Sequence, residues 1–153
     1  MAERLRRLLP ALWAGVLLCI AAIAAPAAFA MLERPDAGRV VGRIFVPEAW
    51  LSLALAVLLL AMERARAKAG ADAGQGSVSS TEMLLVLGTV FCTVAGYFAL
   101  QPLMPAARAG QGPLSFGQLH LISTLFYAAK LLLVGALAWR AAQPVEFSPA
   151  PSS

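Results

Sequence analysis

Charged residues are scarce in this chain. Only 13% of its 153 residues are Asp, Glu, Lys or Arg, whereas 60% are hydrophobic. Soluble domains are typically about 25% charged and about 45–50% apolar. The shortage of charge and the excess of apolar side chains argue against a soluble globular enzyme, and they indicate that much of the chain faces lipid.

Residue types that carry catalysis and metal binding are equally few. The chain has one histidine and two cysteines, and it lacks the HExxH, GxSxG, GxxxxGK[ST] and GxGxxG patterns. The sequence therefore offers no histidine-based metal motif, nucleophile elbow or phosphate-binding loop. We predict a protein that is not an enzyme and that binds no metal or cofactor.

The net charge of +4 does not indicate nucleic acid binding. The charged residues occur in short clusters between apolar runs, and only Glu48 and Lys130 lie inside a run. The sequence shows no basic helix face and no alternation of basic and aromatic residues. We expect the basic residues to contact lipid headgroups and to set the topology, and we expect no nucleic acid partner.

Four long apolar runs dominate the sequence. They cover about residues 8–30, 44–62, 83–104 and 119–139. A helix of about 20 apolar residues spans the hydrocarbon core of a bilayer. The runs are continuous rather than alternating, which disfavours a β-barrel. The predicted fold is an all-α membrane protein, a bundle of four transmembrane helices within a single domain of residues 1–140.

The segments between the runs differ in character. Residues 31–43 predict a short charged link between the first two helices. Residues 63–82 combine basic residues with a stretch rich in Gly and Ser, which is typical of a flexible linker, here on the cytoplasmic side. Residues 141–153 contain three prolines and three serines and predict a disordered tail.

Lysine and arginine counts favour cytoplasmic termini, because basic residues accumulate in cytoplasmic loops. With the N-terminus inside, the cytoplasmic side carries Arg4, Arg6, Arg7, Arg64, Arg66, Lys68 and Arg140. The other side then carries Arg34, Arg39, Arg43 and Arg108. The first run also resembles a secretory signal that ends in Ala28-Phe29-Ala30. Its length and the three later runs favour an uncleaved helix, and cleavage remains the alternative.

Small residues recur at four-residue steps in two of the runs. Gly15 and Cys19 follow Ala11 in the first run, and Gly88, Cys92 and Gly96 lie in the third. Such stripes let helix backbones approach closely in lipid, so we predict that these residues pack against other helices. The recurrence fits either two repeated helical hairpins or chance similarity between apolar helices. A cysteine in such a stripe is typical of a small packing residue rather than a metal ligand.

Polar side chains inside the runs form a candidate intramembrane cluster. In the fourth run they share one helical face. The predicted members are Glu48, His120, Ser123, Thr124, Tyr127 and Lys130. We expect Lys130 near the midplane and Glu48 in the outer half, level with His120. The cluster fits either hydrogen bonds and an ion pair that join helices, or a transport or proton-coupling site.

Three short blocks carry a family resemblance. The first holds Leu12-Trp13-Ala14-Gly15, Ala25-Pro26-Ala27-Ala28-Phe29-Ala30 and residues 37–45 followed by Glu48-Ala49. The second is Gly96-Tyr97-Phe98 with Gln101-Pro102-Leu103-Met104, and the third is Phe116-Gly117-Gln118-Leu119-His120 with Ser123. Together these blocks resemble the bacterial branch of the transmembrane protein 205-like family, over about residues 8–140.

The resemblance implies four helices in the bacterial inner membrane and no established activity. By motif match it singles out Pro26, Gly42, Glu48, Pro102, His120 and Ser123. Leu121 departs from the pattern, because the family often has a small residue after the motif histidine.

Two functions are open to such a chain. It fits a non-enzymatic accessory or assembly protein that packs against a larger membrane protein. It also fits a permease for a small solute or ion, which uses the polar cluster of the outer half and works as a homo-oligomer. Besides the lipid bilayer, the expected partner is accordingly another membrane protein or a second copy of the chain.

Overall fold

The computed structural model describes residues 2–72 and 80–143 and is helical almost throughout these ranges. Four helical segments are long and apolar enough to cross a membrane: Glu3–Met31, Arg34–Asp72, Thr81–Arg108 and Phe116–Ala142. We refer to them as the first to fourth membrane helices. The prediction of an all-α bundle of four transmembrane helices is confirmed.

The first membrane helix changes its winding near its end. Helix α1 covers Ala2–Cys19, a π-helical turn covers Ile20–Ala24, and helix α2 covers Ala25–Met31. Pro26 is the second residue of α2, two positions after the π-helical turn ends. Proline has no N–H, and its ring clashes with the carbonyl group four residues earlier. A locally widened helix relieves that clash, which explains why the π turn precedes Pro26.

The second membrane helix is longer than the sequence predicts. Helix α3 covers Arg34–Asp72, so it begins ten residues before the predicted span 44–62 and ends ten residues after it. The predicted link 31–43 is reduced to Leu32 and Glu33 outside helices. Pro35 is tolerated in the first turn, and Asp36 favours the helix N-terminus.

The alanine-rich stretch after Glu63 prolongs helix α3, because alanine is the strongest helix former. The predicted linker 63–82 is therefore helical as far as Asp72, and Thr81 already begins the next helix. Residues 73–79 of that linker lie outside the described residues. Of the predicted tail 141–153, Ala142 still ends a helix and residues 144–153 lie outside the described residues.

The third and fourth membrane helices are both capped at their starts. Helix α4 covers Thr81–Thr93 with Ser80 as its N-cap, and a π-helical turn, Val94–Ala99, follows it. A 3-10 turn, Gln101–Leu103, and helix α5, Met104–Arg108, complete the third membrane helix. Helix α6 covers Phe116–Ala142 and begins with a capping box between Ser115 and Gln118.

The four membrane helices form a ring in which each packs against the next and the fourth packs against the first. The central apolar core combines side chains from all four helices: Trp13, Leu17, Ala56, Leu59, Val86, Val134 and Leu137. Large apolar side chains such as Leu132, which is 74% exposed, cover the outside. Apolar side chains on the outside are compatible with contact to lipid, whereas the buried polar residues lie inside the ring.

Candidate functional site

A buried ion pair crosses the centre of the bundle. Nζ of Lys130, on α6, lies 2.6 Å from Oε1 of Glu48, on α3, and donates a hydrogen bond to it. The exposed fractions of the two residues are 3% and 4%. An unpaired charge that is buried to this extent costs several kcal/mol, on the order of the penalty for a desolvated ion. Each residue therefore supplies the opposite charge that the burial of the other requires.

Two further side chains extend the ion pair toward the first membrane helix. The hydroxyl group of Ser52 donates to Oε1 of Glu48 over 2.5 Å, one helical turn along α3. The indole N–H of Trp13 donates to the hydroxyl oxygen of Ser52 over 3.0 Å. We call these four residues, Trp13, Glu48, Ser52 and Lys130, the core network. It joins the first, second and fourth membrane helices.

Tyr127 borders the core network. Its ring lies one turn before Lys130, with the ring centroid 4.9 Å from Nζ, which places the ammonium group in cation–π range. Its hydroxyl group donates to the backbone oxygen of Leu17 over 3.0 Å. Phe45 packs edge-on against the same ring. Tyr127 therefore ties α6 to α1 while it covers one side of the buried lysine.

The other predicted members of the polar cluster do not join the ion pair. Ser123 is half-buried and donates to the backbone oxygen of Gly96, which links the fourth membrane helix to the third. Thr124 is exposed and donates back to the oxygen of His120 within its own helix. The ring of His120 is stacked on Phe116 at the start of α6 and is exposed. The structure thus brings Glu48, Tyr127 and Lys130 together, and it leaves His120 and Thr124 on the outside.

The expected depth of Glu48 needs correction. The apolar pattern placed Glu48 level with His120, but its carboxylate meets Lys130, ten residues further along α6, or about 15 Å. The register of α3 against α6 explains the difference, because Phe45, three residues before Glu48, packs against Tyr127, three residues before Lys130. The side chains of Glu48 and Lys130 then meet directly.

The small-residue stripes have different surroundings in the two helices. A Cβ atom at Gly96 would lie 2.5 Å from Cβ of Phe126, and one at Gly88 would lie 3.0 Å from Cδ1 of Leu133. Cys92 is buried between them. The third membrane helix therefore approaches α6 closely along this stripe, as its spacing predicts.

The stripe of the first membrane helix faces outward instead, which corrects its predicted role within the bundle. Cys19 is exposed, and a Cβ atom at Gly15 would meet no other atom within 4 Å. The core side of α1 is occupied by Trp13 and Leu17, which point to the opposite face. Both cysteines are free.

The remaining positions singled out by motif match lie apart from the core network. Pro26 follows the π turn of the first membrane helix, and Pro102 lies in the 3-10 turn of the third, and both are exposed. Gly42 is half-buried in α3 with open space beside it. These positions shape the helices and contribute no polar group to the site.

A second group of charged residues closes the end of the bundle where α1 begins and α6 ends. Arg6 donates to Glu63 over 2.8 Å and also binds Glu3, and Arg140 binds Glu82 on the third membrane helix. These pairs were not predicted from the sequence, although Glu63, Glu82 and Arg140 directly flank apolar runs. Opposite charges at neighbouring span ends were the signal that could have revealed them.

The hydrogen-bond pattern limits what the core network can do chemically. Trp13 can only donate, because the indole nitrogen has no free lone pair, and the hydroxyl group of Ser52 donates its hydrogen bond to Glu48. In the described ranges, no group of three His, Cys, Asp or Glu residues is arranged to hold a metal ion. The arrangement is suited to fastening helices together.

Comparison with known proteins gives one match. No curated protein and no solved structure matches the chain. One family model matches residues 8–112, which include most of the first membrane helix and all of the second and third, with Trp13, Glu48 and Ser52. Since this match covers more than half of the sequence, the chain belongs to the family described as a domain of unknown function, DUF4149.

Proposed function

We propose that this multi-pass membrane protein is a non-enzymatic accessory or assembly partner of a larger membrane complex. The observation that carries the proposal is the closed core network, in which Lys130 and Ser52 both donate to Glu48. Glu48 and Lys130, the charged residues of this network, form an ion pair with each other. Along the described membrane spans, the bundle therefore presents mainly its apolar outside to other molecules.

The closed network is poorly suited to moving protons or ions. A proton relay needs a group at each end that can both accept and release a proton. Trp13 ends the chain of hydrogen bonds as a pure donor. The core network is well suited to fixing the register of three helices, a role for which buried polar groups are best attested.

The outward stripe of α1 is our candidate docking surface for the partner protein. It consists of Ala11, Gly15 and Cys19, all of them exposed. Because these side chains are small, a foreign helix can approach the backbone of α1 closely, which is how helices associate in lipid without a hydrophobic driving force. The stripe is flanked by exposed leucines such as Leu12 and Leu18, which supply contact area.

We also propose that the protein lies in the bacterial inner membrane with both termini in the cytoplasm. The basic residues near the span ends support this orientation, and the resemblance to the bacterial branch of the transmembrane protein 205-like family supports the choice of membrane. Reporter fusions to the C-terminus test the orientation. A fluorescent protein should be bright there, and alkaline phosphatase should be inactive. The opposite pattern would refute it.

Purification from native membranes in a gentle detergent tests the accessory role. Mass spectrometry of the intact assembly should reveal a second membrane protein at a fixed stoichiometry. A homo-oligomer without any second protein would contradict the proposal.

The alternative is an oligomeric permease for a small solute or ion. The observation that favours it is the burial of Glu48 and Lys130 inside membrane helices, where ionisable residues often serve transport. In this case Lys130→Met should leave the fold intact and abolish flux into liposomes. Unchanged flux would remove the pair from any transport mechanism.

A further inference from the structure

A pocket of about 190 Å³ opens at the end of the bundle where α1 begins and α6 ends. We call it the basal pocket. All four membrane helices contribute to its wall. Its charged lining residues are Arg6, Arg7, Glu63, Arg66, Glu82 and Arg140. Four guanidinium groups thus face two carboxylates of the lining, and Glu3 beside the pocket pairs with Arg6 and Arg7. One positive charge remains in excess.

The carboxylates hold two of the arginines in place rather than neutralising the whole pocket. Glu63 accepts from Arg6, whose side chain is only 12% exposed, and Glu82 accepts from Arg140. A guanidinium group has five N–H donors. Arg6 gives one hydrogen bond to Glu63 and two to Glu3, so Arg6 and Arg140 both keep donors that these pairs do not use. Among the described residues, Arg66 makes no ion pair, and Arg7 binds only Glu3, which is outside the pocket lining.

The position of the pocket indicates which anion would reach it. Its floor is formed by Leu59, Val86 and Leu137, which belong to the apolar core. Its charged residues lie within about one turn of the ends of the four apolar runs. The pocket therefore lies at the depth of the lipid headgroups, and an apolar surface continues from it into the membrane.

We propose that this basal pocket binds the phosphate group of an anionic ligand, such as the phosphodiester of an anionic phospholipid headgroup. Arginine presents its donors in a planar fork that matches phosphate oxygens. Basic pockets between membrane helices are a recurrent way of recognising anionic headgroups. Arg66 and Arg7 supply the donors, and the pairs of Arg6 and Arg140 fix the shape of the site. The inference does not depend on the accessory role.

Titration of the full-length protein in a non-ionic detergent tests the proposal. Mass spectrometry of the intact protein would count bound phosphatidylglycerol, with phosphatidylcholine as the zwitterionic lipid of matched chain length. We expect one saturable molecule of phosphatidylglycerol and no saturable phosphatidylcholine. Inorganic phosphate added as a competitor distinguishes the source, because displacement of the lipid at millimolar concentration would indicate a site that also takes free phosphate.

Arg66→Gln should weaken phosphatidylglycerol binding about fivefold, the loss expected for one basic contact with an anionic lipid. Arg64→Gln is the matched control, because Arg64 is exposed two residues away on α3 and is not part of the pocket lining. Arg7→Gln provides a second pocket variant. Equal weakening by Arg64→Gln and Arg66→Gln would overturn the proposal in favour of general surface attraction, and so would equal binding of the two lipids.

Discussion

Lys130 donates a 2.6 Å hydrogen bond to Glu48 from the opposite side of the helical ring, 82 residues away along the chain. The second and fourth membrane helices, which carry them, are separated by the first and third. Two side chains therefore connect helices that do not follow one another around the ring.

Removing one partner of the pair should destabilise the bundle strongly. Lys130→Met leaves the carboxylate of Glu48 buried without a cation, at a cost of about 3 kcal/mol. The double variant with Glu48→Gln should recover most of this loss, since neither buried residue is then charged. Thermal unfolding in detergent, followed by circular dichroism, measures both effects. Lys68→Met, at an exposed position, is the control and should leave unfolding unchanged. An equally unstable double variant would contradict a structural pair.

Ser123 and Thr124 are neighbours on α6 that should respond differently to alanine. Ser123 bonds across to the third membrane helix, so Ser123→Ala should cost about 0.6 kcal/mol, a typical value for such bonds in membranes. Thr124 bonds within its own helix, and Thr124→Ala should be neutral or slightly stabilising, because alanine is the better helix former. Chemical unfolding of the two variants in mixed micelles gives the comparison. A larger loss for Thr124→Ala would reverse our assignment of the two contacts.

Gly96 should tolerate no side chain, whereas Gly15 should accept a methyl group. A Cβ atom at Gly96 would overlap Phe126, so Gly96→Ala forces the third and fourth membrane helices apart and should cost about 1–3 kcal/mol. Gly15→Ala meets no atom and should raise stability slightly through helix propensity. Unfolding temperatures in the same detergent are the readout. Similar temperatures for the two variants would show that the close approach at Gly96 does not exist.

A larger residue in the outward stripe of α1 should prevent a partner helix from docking without disturbing the fold of the bundle. Gly15→Leu adds bulk where a partner helix would approach, and it adds none inside the bundle. We expect the purified variant to unfold at the wild-type temperature or slightly above it, and to lose the second protein from the assembly purified from membranes. Leu132→Phe on the exposed face of α6 is the matched control and should keep that protein. Retention of the partner by Gly15→Leu would place the docking surface elsewhere.

Part of the candidate site was predictable because it depends on local spacing. Tyr127 and Lys130 are three residues apart, so they must share a face of any helix that contains both, and their cation–π contact follows from that. Glu48 stood out as the single acidic residue in an apolar run. Its partner could not be chosen from the sequence, because His120 and Lys130 lie on the same face at different depths.

Ser52 follows Glu48 by four residues, so spacing alone places the two on one face of α3. Trp13 illustrates what spacing leaves open. A tryptophan in an apolar run looks like any other core or lipid-facing residue, and its role as a donor depends on which side of α1 faces α3. Gly15, only two residues away, lies on the outer side of α1, because the same orientation of the helix turns Trp13 inward. The apolar residues of α1 surround the helix, so the pattern does not indicate an inner face.

The sequence by itself determined the membrane fold, the number of helices and the scarcity of reactive groups, since each of these follows from the length and composition of the apolar runs. Only the tertiary structure decided the depth of Glu48, the membership of the core network and the basal pocket. Helix α3 continues far beyond its apolar run, because the charged and alanine-rich residues on either side also favour a helix. In one continuous helix the residues of α3 keep a fixed spacing along the helix axis. The packing of the ring then decides which polar groups of neighbouring helices meet.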